Sequence, residues 1–357
     1  MPVPTTRTAD ETRRLLTDWL RERIEGASDV EVADLVAPKE NGFSSETLMF
    51  DARWRQDGRE IAGRYVARVE ATGYAVFPDV DLRQQYAVLA ALRDTPIPVP
   101  RVLCFQESEG SPFDQAFFVM EHVEGRIPAD HPPYAVKGWL ADAGAAAQAE
   151  VYFNTLDMLA DLHGLDWRTL GVDGLLRTGD AAPGMAAELD NFERYLDWVL
   201  DGRENPLLAG ALAHLRQAMP AGEPLALNWG DPKVSNVIFD GTRPVAVLDW
   251  ELAAIAPPVA DLAFFFVLHR ANTQMRGHAN LPGFPEEAAA VARYEERAGR
   301  AVQHLHYHKV WSALRVTTIL LRLGDMFIRA GKLDPDPARG PHQAPQRLLQ
   351  ELLDEQA

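Results

Sequence analysis

The chain has 357 residues, enough for one large domain or two lobes with a sizeable apolar core. Its formal charge of −17 disfavours nucleic acid as a partner, because phosphate backbones attract lysine and arginine patches. Cys104 is the only cysteine, which excludes an intrachain disulfide and a cysteine-based metal site. We see neither a signal-peptide pattern nor an apolar run long enough to span a bilayer, and we therefore expect a cytoplasmic protein with no membrane partner.

The first third of the chain has the pattern of one helix followed by short strands. Thr8–Glu11 matches a helix capping box, and an amphipathic pattern follows it. Thr47–Arg55 and Ile61–Val69 are predicted strands joined by a Gln-Asp-Gly-Arg turn, which is typical of a hairpin. Leu82–Leu92 is predicted to be a helix, and Phe117–Glu121 a buried strand that ends in a turn.

After about Gly125 the pattern becomes mainly helical. Pro128–Trp139 is rich in proline and aromatic residues and is predicted to be a loop. Helices are expected at about residues 151–163, 189–199, 207–219, 294–298 and 304–326, with an apolar helix after residue 257 and a short one at the end. The segment Leu333–Pro345 is predicted to be a poorly ordered tail that precedes the last helix.

The most informative stretch runs from residue 225 to residue 251. A short apolar run leads into a polar loop and then into a hairpin with predicted strands at 237–239 and 245–248. Asp231, Asn236 and Asp249 stand at the ends of these apolar pieces and can converge on one spot. A hydrophobic hairpin that merely carries surface acids is the plain alternative.

The chemistry of these three side chains favours a magnesium site. Mg²⁺ prefers oxygen ligands and usually takes one or two carboxylates, with phosphates and waters completing its shell. Asn236 and Asp249 supply such a pair of ligands. Asp231 is then free to orient or deprotonate an attacking hydroxyl.

This constellation resembles the catalytic segment of the protein-kinase-like phosphotransferases, in which a metal-binding Asn follows the catalytic Asp by five residues and a second Asp binds the metal. Asp231 and Asn236 keep that interval, Lys233 lies between them, and Asp249-Trp250-Glu251 stands where kinases have Asp-Phe-Gly. With Trp-Gly-Asp before the loop and Asp261-Leu262-Ala263 after the hairpin, the segment is similar to the aminoglycoside phosphotransferase family.

The resemblance covers about residues 30–325 and implies an α+β, two-lobed protein-kinase-like fold. We expect a nucleotide-binding lobe with a small antiparallel sheet at residues 1–124 and a mainly helical, substrate-binding lobe at residues 125–357. The implied reaction is transfer of the γ-phosphate of ATP to a hydroxyl of a small molecule, with Mg²⁺. In it Asp231 aligns the acceptor, Lys233 stabilises the transferring phosphoryl group, and Asn236 and Asp249 bind the metal.

The resemblance also implies nucleotide-binding residues in the first lobe. Ser44 and Ser45 lie in a polar loop where a kinase-like fold covers the phosphates, although an ordinary hairpin loop accounts for the sequence equally well. Arg68 ends a strand where kinases have a phosphate-binding Lys, and a guanidinium can hold phosphate oxygens bidentately. An exposed strand arginine is the alternative reading of Arg68, and Arg64 is the nearby competitor.

Two more parts of the nucleotide site come from the resemblance alone. Backbone groups near Glu121 and Val123 are expected to meet adenine in the segment that links the lobes. Gln85 stands where kinases carry the Glu that braces the phosphate-binding cation. Either Gln85 hydrogen-bonds Arg68 in place of the usual ion pair, or Arg68 is braced from elsewhere. Trp229 is a second departure, because family members usually have His two residues before the catalytic Asp.

The departures keep open a different class of function, an ATP-binding or regulatory module without transferase activity. For the acceptor, the family and the negative net charge favour a cationic, aminoglycoside-like molecule. The predicted pocket segments are mixed. Residues 191–201 carry three acids beside three aromatic residues, whereas residues 262–283 carry no acid and would suit an apolar or anionic acceptor.

Overall fold

The computed structural model describes residues 7–36, 45–71, 75–78, 81–172, 174, 176, 182–334, 336 and 340–355. The chain divides into two compact units. The first comprises residues 1–93 and 99–124, and the second comprises residues 94–98 and 125–357. The architecture is α+β, with a small antiparallel sheet and many helices, as the sequence predicts.

The first unit is built on a five-stranded antiparallel sheet with the strand order β1-β2-β3-β5-β4. Apolar side chains of the first helix pack with the inward-facing residues of the sheet into one core. The Thr8 hydroxyl accepts a hydrogen bond from the Glu11 amide and caps that helix, which confirms the capping box. The elements of this unit are α1 (Ala9–Arg23), β1 (Ser28–Val36), β2 (Ser45–Gln56), β3 (Arg59–Glu70), α2 (Leu82–Leu92), β4 (Val102–Gln106) and β5 (Phe117–Glu121).

A two-residue turn fixes the register of the long β2–β3 hairpin. Asp57 and Gly58 both have positive φ, 52° and 74°, the conformation that matches the twist of the flanking strands. Pairing from Gln56 and Arg59 outward, without a bulge, brings Thr47 directly opposite Arg68. The turn chemistry therefore decides which side chain lies beside the predicted phosphate-binding arginine.

The second unit consists mainly of helices. α6 is apolar around its whole circumference and packs against α8, α9 and β6, which explains its continuous run of buried residues. Its helices are α3 (Ala145–His163), α4 (Met185–Leu200), α5 (Pro206–Gln217), α6 (Pro258–Asn272), α7 (Glu287–Ala298), α8 (Leu305–Arg329) and α9 (Gln343–Asp354). Its strands are β6 (Ala226–Asn228), β7 (Val237–Asp240), β8 (Arg243–Val247) and β9 (Ala254–Ala256), paired antiparallel as β6–β9 and β7–β8.

The end of the chain differs from the sequence prediction. The last helix begins at Gln343, so Pro345 lies inside it and not in the tail before it. Proline is tolerated there because the first turn of a helix has no internal acceptor for its amide hydrogens. Over the residues described, none of the helices has the length and apolar character needed to cross a bilayer.

Candidate active site

The loop at residues 229–236 follows β6 and is held by a buried carboxylate on α6. The two oxygens of Asp261 accept hydrogen bonds from the backbone amides of Trp229 and Gly230, at 2.6 and 2.9 Å. Gly230 has a φ of 90°, and a Cβ on it would lie 1.9 Å from the Leu252 carbonyl oxygen, so only glycine fits. Asp261 therefore holds this loop and makes no side-chain cap for α6.

Asp261 is itself oriented by a buried histidine. His163 Nε2 lies 3.3 Å from Asp261 Oδ2, and His163 Nδ1 lies 2.7 Å from the Tyr294 hydroxyl. Burial lowers the pKa of His163, although the adjacent carboxylate opposes that shift. A neutral ring that donates to Asp261 and accepts from Tyr294 satisfies both contacts, which gives His163 a structural role.

Trp229 replaces the usual histidine of the family and joins two parts of the site. Its fully buried indole N–H lies 2.8 Å from the Leu248 carbonyl oxygen and 3.1 Å from that of Asp249. The bond ties the 229–236 loop to the segment that carries Asp249. The departure from histidine therefore keeps a hydrogen-bond donor at this position.

The structure brings Asp231, Lys233 and Asn236 together. Asn236 Nδ2 donates to Asp231 Oδ2 at 2.9 Å, and Lys233 Nζ lies 3.1 Å from the same oxygen. A short 3₁₀ turn at Val234–Asn236 folds the chain back so that these contacts form across five residues. Because a carboxylate only accepts, the amide nitrogen of Asn236 must face Asp231, which leaves its amide oxygen for another partner.

Burial and neighbouring charges set the ionisation of this group. Burial raises the pKa of Asp231, the charges of Asp249 and Asp130 raise it further, and Lys233 opposes them. Burial alone would lower the pKa of Lys233, but Asp231, Asp130 and Asp249 outweigh it and raise that pKa well above the ordinary lysine value. Lys233 is therefore a fixed positive charge, and Asp231 is a better proton acceptor than an exposed aspartate.

Asp249 has two features that fit a metal ligand. Its φ is 63°, a conformation that a non-glycine residue adopts at a cost and that is frequent at functional sites. Its Oδ1 is buried and has no hydrogen-bond partner within the described residues. The backbone bond from the Leu248 amide to the Asn236 carbonyl, 2.9 Å long, joins the chain next to Asp249 to the Asn236 turn.

The oxygen donors here fit Mg²⁺ better than a metal that needs an all-protein shell. In the described part of the chain no three His, Cys, Asp or Glu side chains form a metal-binding cluster. Two protein oxygens, from Asn236 and Asp249, match a cation that keeps waters and binds phosphate oxygens.

Two further residues enter this region that the sequence analysis did not identify. Asp130 lies 2.6 Å from the Ser235 hydroxyl and 3.4 Å from Lys233 Nζ. Arg315, on α8, donates to the Gly230 carbonyl at 3.2 Å and lies over the Phe264 ring. No spacing rule connects Asp130 or Arg315 with the 229–236 loop, because they are about 100 and 85 residues away from it in sequence.

In the first unit, Arg68 is held by Thr47 and not by Gln85. Arg68 Nη1 donates to the Thr47 hydroxyl at 2.9 Å, across the hairpin. Gln85 is buried on α2, and its side-chain nitrogen finds no partner among the described residues. Thr47 could have been identified from the turn at Asp57-Gly58, since that turn fixes the strand register.

The remaining predicted nucleotide-binding residues have different surroundings. Ser45 begins β2 and is fully buried, and its hydroxyl lacks a hydrogen-bond partner within the described residues. Ser44 lies outside the described residues. Glu121 ends β5, its amide donates to the Arg101 carbonyl at 2.8 Å, and Val123 follows two residues later.

Arg64, the competitor of Arg68, is exposed and engaged elsewhere. Its Nε donates to Asp51 at 2.8 Å on the β2–β3 hairpin. That partner raises the pKa of Arg64 and, in return, lowers the pKa of Asp51. Arg68, which is partly buried and bonded only to a neutral hydroxyl in the described structure, is the better candidate for a phosphate ligand.

Known structures share this fold. A Ralstonia eutropha protein assigned to the aminoglycoside phosphotransferases superposes with a TM-score of 0.68, 22% identity and coverage of 95% of this chain and 98% of that one. A thermostable variant of aminoglycoside phosphotransferase APH(4)-Ia, in complex with ADP and hygromycin B, superposes with a TM-score of 0.53 and 17% identity, covering 96% and 99% of the two chains. At these identities the likeness extends to the fold.

Curated relatives are longer proteins. Acyl-CoA dehydrogenase family member 11 of Gallus gallus is 32% identical over 204 residues, which are 56% of this chain and 24% of that protein. Over the first three relatives, the aligned part spans about a quarter to a third of their length.

The family itself is matched over most of the chain. The sequence profile of the phosphotransferase enzyme family covers residues 48–305. That range includes most of β2, all of β3, the 229–236 loop and Asp249. The chain belongs to the phosphotransferase enzyme family, which includes the aminoglycoside phosphotransferases.

Proposed function

We propose that the chain is an ATP- and Mg²⁺-dependent phosphotransferase that moves the γ-phosphate to a hydroxyl of a small molecule. The observation that carries the proposal is the arrangement around Asp231: a buried carboxylate held by Asn236 and Lys233, near an Asp249 oxygen without a described partner. Positioning and electrostatics are the main requirements of phosphoryl transfer, and these groups provide both.

In this proposal Asp231 accepts the proton of the acceptor hydroxyl and aligns its oxygen for attack. Its Oδ2 already accepts from Asn236 and Lys233, so the other carboxylate oxygen, Oδ1, takes the hydroxyl proton. Lys233 stays protonated and stabilises the negative charge of the transferring phosphoryl group. Asp261 and Trp229 keep these groups in place through the backbone.

The Asn236 amide oxygen and Asp249 would hold Mg²⁺, which neutralises phosphate charge when bound. In the first unit we assign Arg68 to phosphate oxygens, with Ser44 and Ser45 at the phosphates. Gln85 lies on the neighbouring helix, and the backbone at Glu121 and Val123 is assigned to adenine. The buried polar atoms of Ser45 and Gln85 support this assignment, since such atoms normally have partners. We place the reaction in the cytoplasm, where ATP is available.

The phosphate acceptor belongs to one of two classes, a polycation or a neutral or acidic hydroxyl compound. An aminoglycoside-like polycation would make the chain an antibiotic-resistance enzyme and needs acidic side chains in its pocket. On α4, however, Glu193 is exposed and paired with Arg216, whereas Trp198 on the same helix lies under the Arg322 guanidinium. Burial raises the pKa of Tyr195, and the nearby positive charges of Arg322 and Arg315 oppose that rise.

These contacts favour a neutral or acidic hydroxyl compound over a polycation. Arg315 and Arg322 lie over aromatic rings. Arg315 offsets the negative charge of Glu188, Asp261 and Asp231, which a polycation would need for itself. The names of the longer relatives are consistent with a hydroxyl on an acyl compound in that class.

The test is ADP release from Mg²⁺-ATP with two acceptor panels, one of aminoglycosides and one of neutral and acidic hydroxyl compounds, the latter including hydroxyacyl thioesters. The wild-type protein and Asp231→Asn are compared. We expect the wild type to release ADP with the second panel and not with the aminoglycosides. We expect Asp231→Asn to release none with either panel. Turnover confined to aminoglycosides would reverse the choice of acceptor but keep the mechanism.

A regulatory ATP-binding module is the second candidate, since Gln85 replaces the usual Glu of the cation brace. It predicts nucleotide binding without turnover across both panels. That outcome would overturn the phosphotransferase proposal.

A further inference from the structure

Asp130 joins two residues of the 229–236 loop although it is about 100 residues away in sequence. Its Oδ1 accepts from the Ser235 hydroxyl at 2.6 Å, and its Oδ2 lies 3.4 Å from Lys233 Nζ. Lys233 Nζ also lies 3.1 Å from Asp231 Oδ2. The ammonium group is therefore held between two carboxylates.

The segment at residues 126–134 that carries Asp130 is fixed on both sides. Arg126 exchanges two backbone hydrogen bonds with Phe239 of β7, each 2.9 Å long. At the other end, the Tyr134 hydroxyl lies 2.7 Å from His269 Nδ1, and His269 Nε2 lies 2.9 Å from the Asn280 side-chain oxygen. Asp130 therefore has a defined position relative to β7 and α6, although its side chain is half exposed.

We propose that Asp130 is a positioning residue that, as a second carboxylate partner beside Asp231, fixes the direction of the Lys233 ammonium group. The proposal rests on the proposed function, because it gives Lys233 the transferring phosphoryl group as its target. With Asp231 as its one carboxylate partner, the ammonium group could swing about that contact. A second carboxylate, 3.4 Å from Lys233 Nζ, limits this motion and fixes the direction of the ammonium group.

The electrostatic reason is that the positive charge of Lys233 lies next to two negative charges, those of Asp130 and Asp231. Asp231 Oδ2 accepts from both Asn236 and Lys233, at 2.9 and 3.1 Å. Without Asp130 the ammonium group would keep that contact but lose the second one, which fixes its direction. With Asp130 present, the positive charge of Lys233 is divided between two acids. The Ser235 hydroxyl donates to Asp130 and holds that carboxylate beside Lys233.

A double-mutant cycle tests whether Asp130 acts through Lys233. The variants are Asp130→Asn, Lys233→Met and the two combined, assayed by ADP release from Mg²⁺-ATP with water as the acceptor. Asp130→Asn should lower kcat about 10-fold or more, because small misplacements of reacting groups have effects of this order, and should leave the KM for ATP within about twofold. In the Lys233→Met background the same substitution should change kcat less than about twofold.

The matched control is Asp157→Asn, which removes one negative charge from an acid on α3 that is ion-paired with Arg293. It should leave kcat unchanged. A full effect of Asp130→Asn in the absence of Lys233 would overturn the proposal. So would an unchanged kcat in Asp130→Asn itself.

A second measurement does not depend on turnover. The chain has five lysines, Lys39, Lys137, Lys233, Lys309 and Lys332, so their ¹³Cε signals can be resolved by NMR. Asp130→Asn should move the Lys233 signal, identified by its loss in Lys233→Met, and leave the other four in place. An unmoved Lys233 signal would overturn the proposal.

The two readouts separate failure of this inference from failure of the proposed function. A wild-type protein that releases no ADP with any acceptor contradicts the function, while the NMR result still decides the position of Lys233. If Asp130→Asn does not fold, Ser235→Ala takes its place, since it removes the hydroxyl that holds Asp130. The same shift of the Lys233 signal, smaller in size, is then expected, and its absence counts against the proposal.

Discussion

The two units differ in how their candidate site residues are held. In the second unit Asp231, Lys233 and Asn236 bond one another, and buried Asp261 and Trp229 fix the backbone around them. In the first unit, Arg68 has one hydrogen-bond partner among the described residues, the neutral hydroxyl of Thr47. Ser45 and Gln85 carry buried polar atoms without partners within the described residues.

The difference follows from what each group is proposed to do. A catalytic carboxylate has to be in place before the acceptor arrives, since reorganisation during the reaction would raise the barrier. A nucleotide-binding surface can leave donors and acceptors for the ligand to satisfy, although burying them unpaired lowers the stability of the protein. The comparison therefore predicts opposite effects of substitution in the two units.

The largest effect is expected for Asp231→Asn. It removes the proposed proton acceptor but keeps the shape of the side chain, so kcat should fall about 10²- to 10⁴-fold while nucleotide binding is kept. Single-turnover transfer from labelled ATP, together with a nucleotide titration, measures both quantities. A rate close to that of the wild type would remove Asp231 from the chemistry.

Asp249→Ala should separate metal binding from nucleotide binding. Affinity for ATP in the presence of Mg²⁺ should fall about tenfold or more, because one of the two proposed protein ligands is lost. Affinity measured with EDTA should not change. Calorimetric titrations under both conditions provide the comparison, and an equal loss in each would exclude Asp249 as a metal ligand.

Trp229→Phe tests the anchoring of the second unit. The ring is kept, but two buried carbonyls lose their indole donor, and the free energy of unfolding should fall by about 1–3 kcal/mol. Trp250→Phe is the matched control, because its indole donates only to the Val247 carbonyl in the described structure. Both should lower stability in urea, and only Trp229→Phe should also weaken Mg²⁺-dependent ATP binding.

Thr47→Val tests the hydrogen bond that holds Arg68 in the described part of the chain. The shape of the side chain is nearly kept while the hydroxyl that accepts from Arg68 is lost. The KM for ATP should rise about fivefold, equivalent to about 1 kcal/mol, with little change in kcat. An unchanged KM would show that Arg68 does not depend on Thr47 for its position.

Gln85→Leu should have the smallest effect on stability, and in the direction opposite to Trp229→Phe. It replaces a buried amide, whose nitrogen has no partner within the described residues, by an apolar group of similar size, so the free energy of unfolding should stay the same or rise by about 1 kcal/mol. ATP affinity should fall if the amide binds the nucleotide. A loss of stability in urea would show that Gln85 has a partner in the folded protein.

The parts of the fold that the sequence predicts are those with local signals. The capping box at Thr8, the turn at Asp57-Gly58 and the five-residue interval from Asp231 to Asn236 all come from neighbouring residues. The α+β class follows from them and from the family resemblance.

The contacts that the sequence does not predict are long-range. Asp130 and Arg315 reach the 229–236 loop only through the packing of the second unit. Thr47 is intermediate, because the strand register places it opposite Arg68 but only the structure shows the bond. Specificity for the phosphate acceptor depends on contacts of this long-range kind, which composition and net charge do not encode.

Hydrogen–deuterium exchange of the whole chain, with and without a non-hydrolysable Mg²⁺-ATP analogue, tests the comparison most directly. The amides of Trp229 and Gly230, bonded to Asp261, should be protected in the free protein and change little on binding. The start of β2 near Ser45, and α2 around Gln85, should gain protection when the analogue binds. Fast exchange at residues 229–236 in the free protein, with protection gained only on binding, would contradict the account.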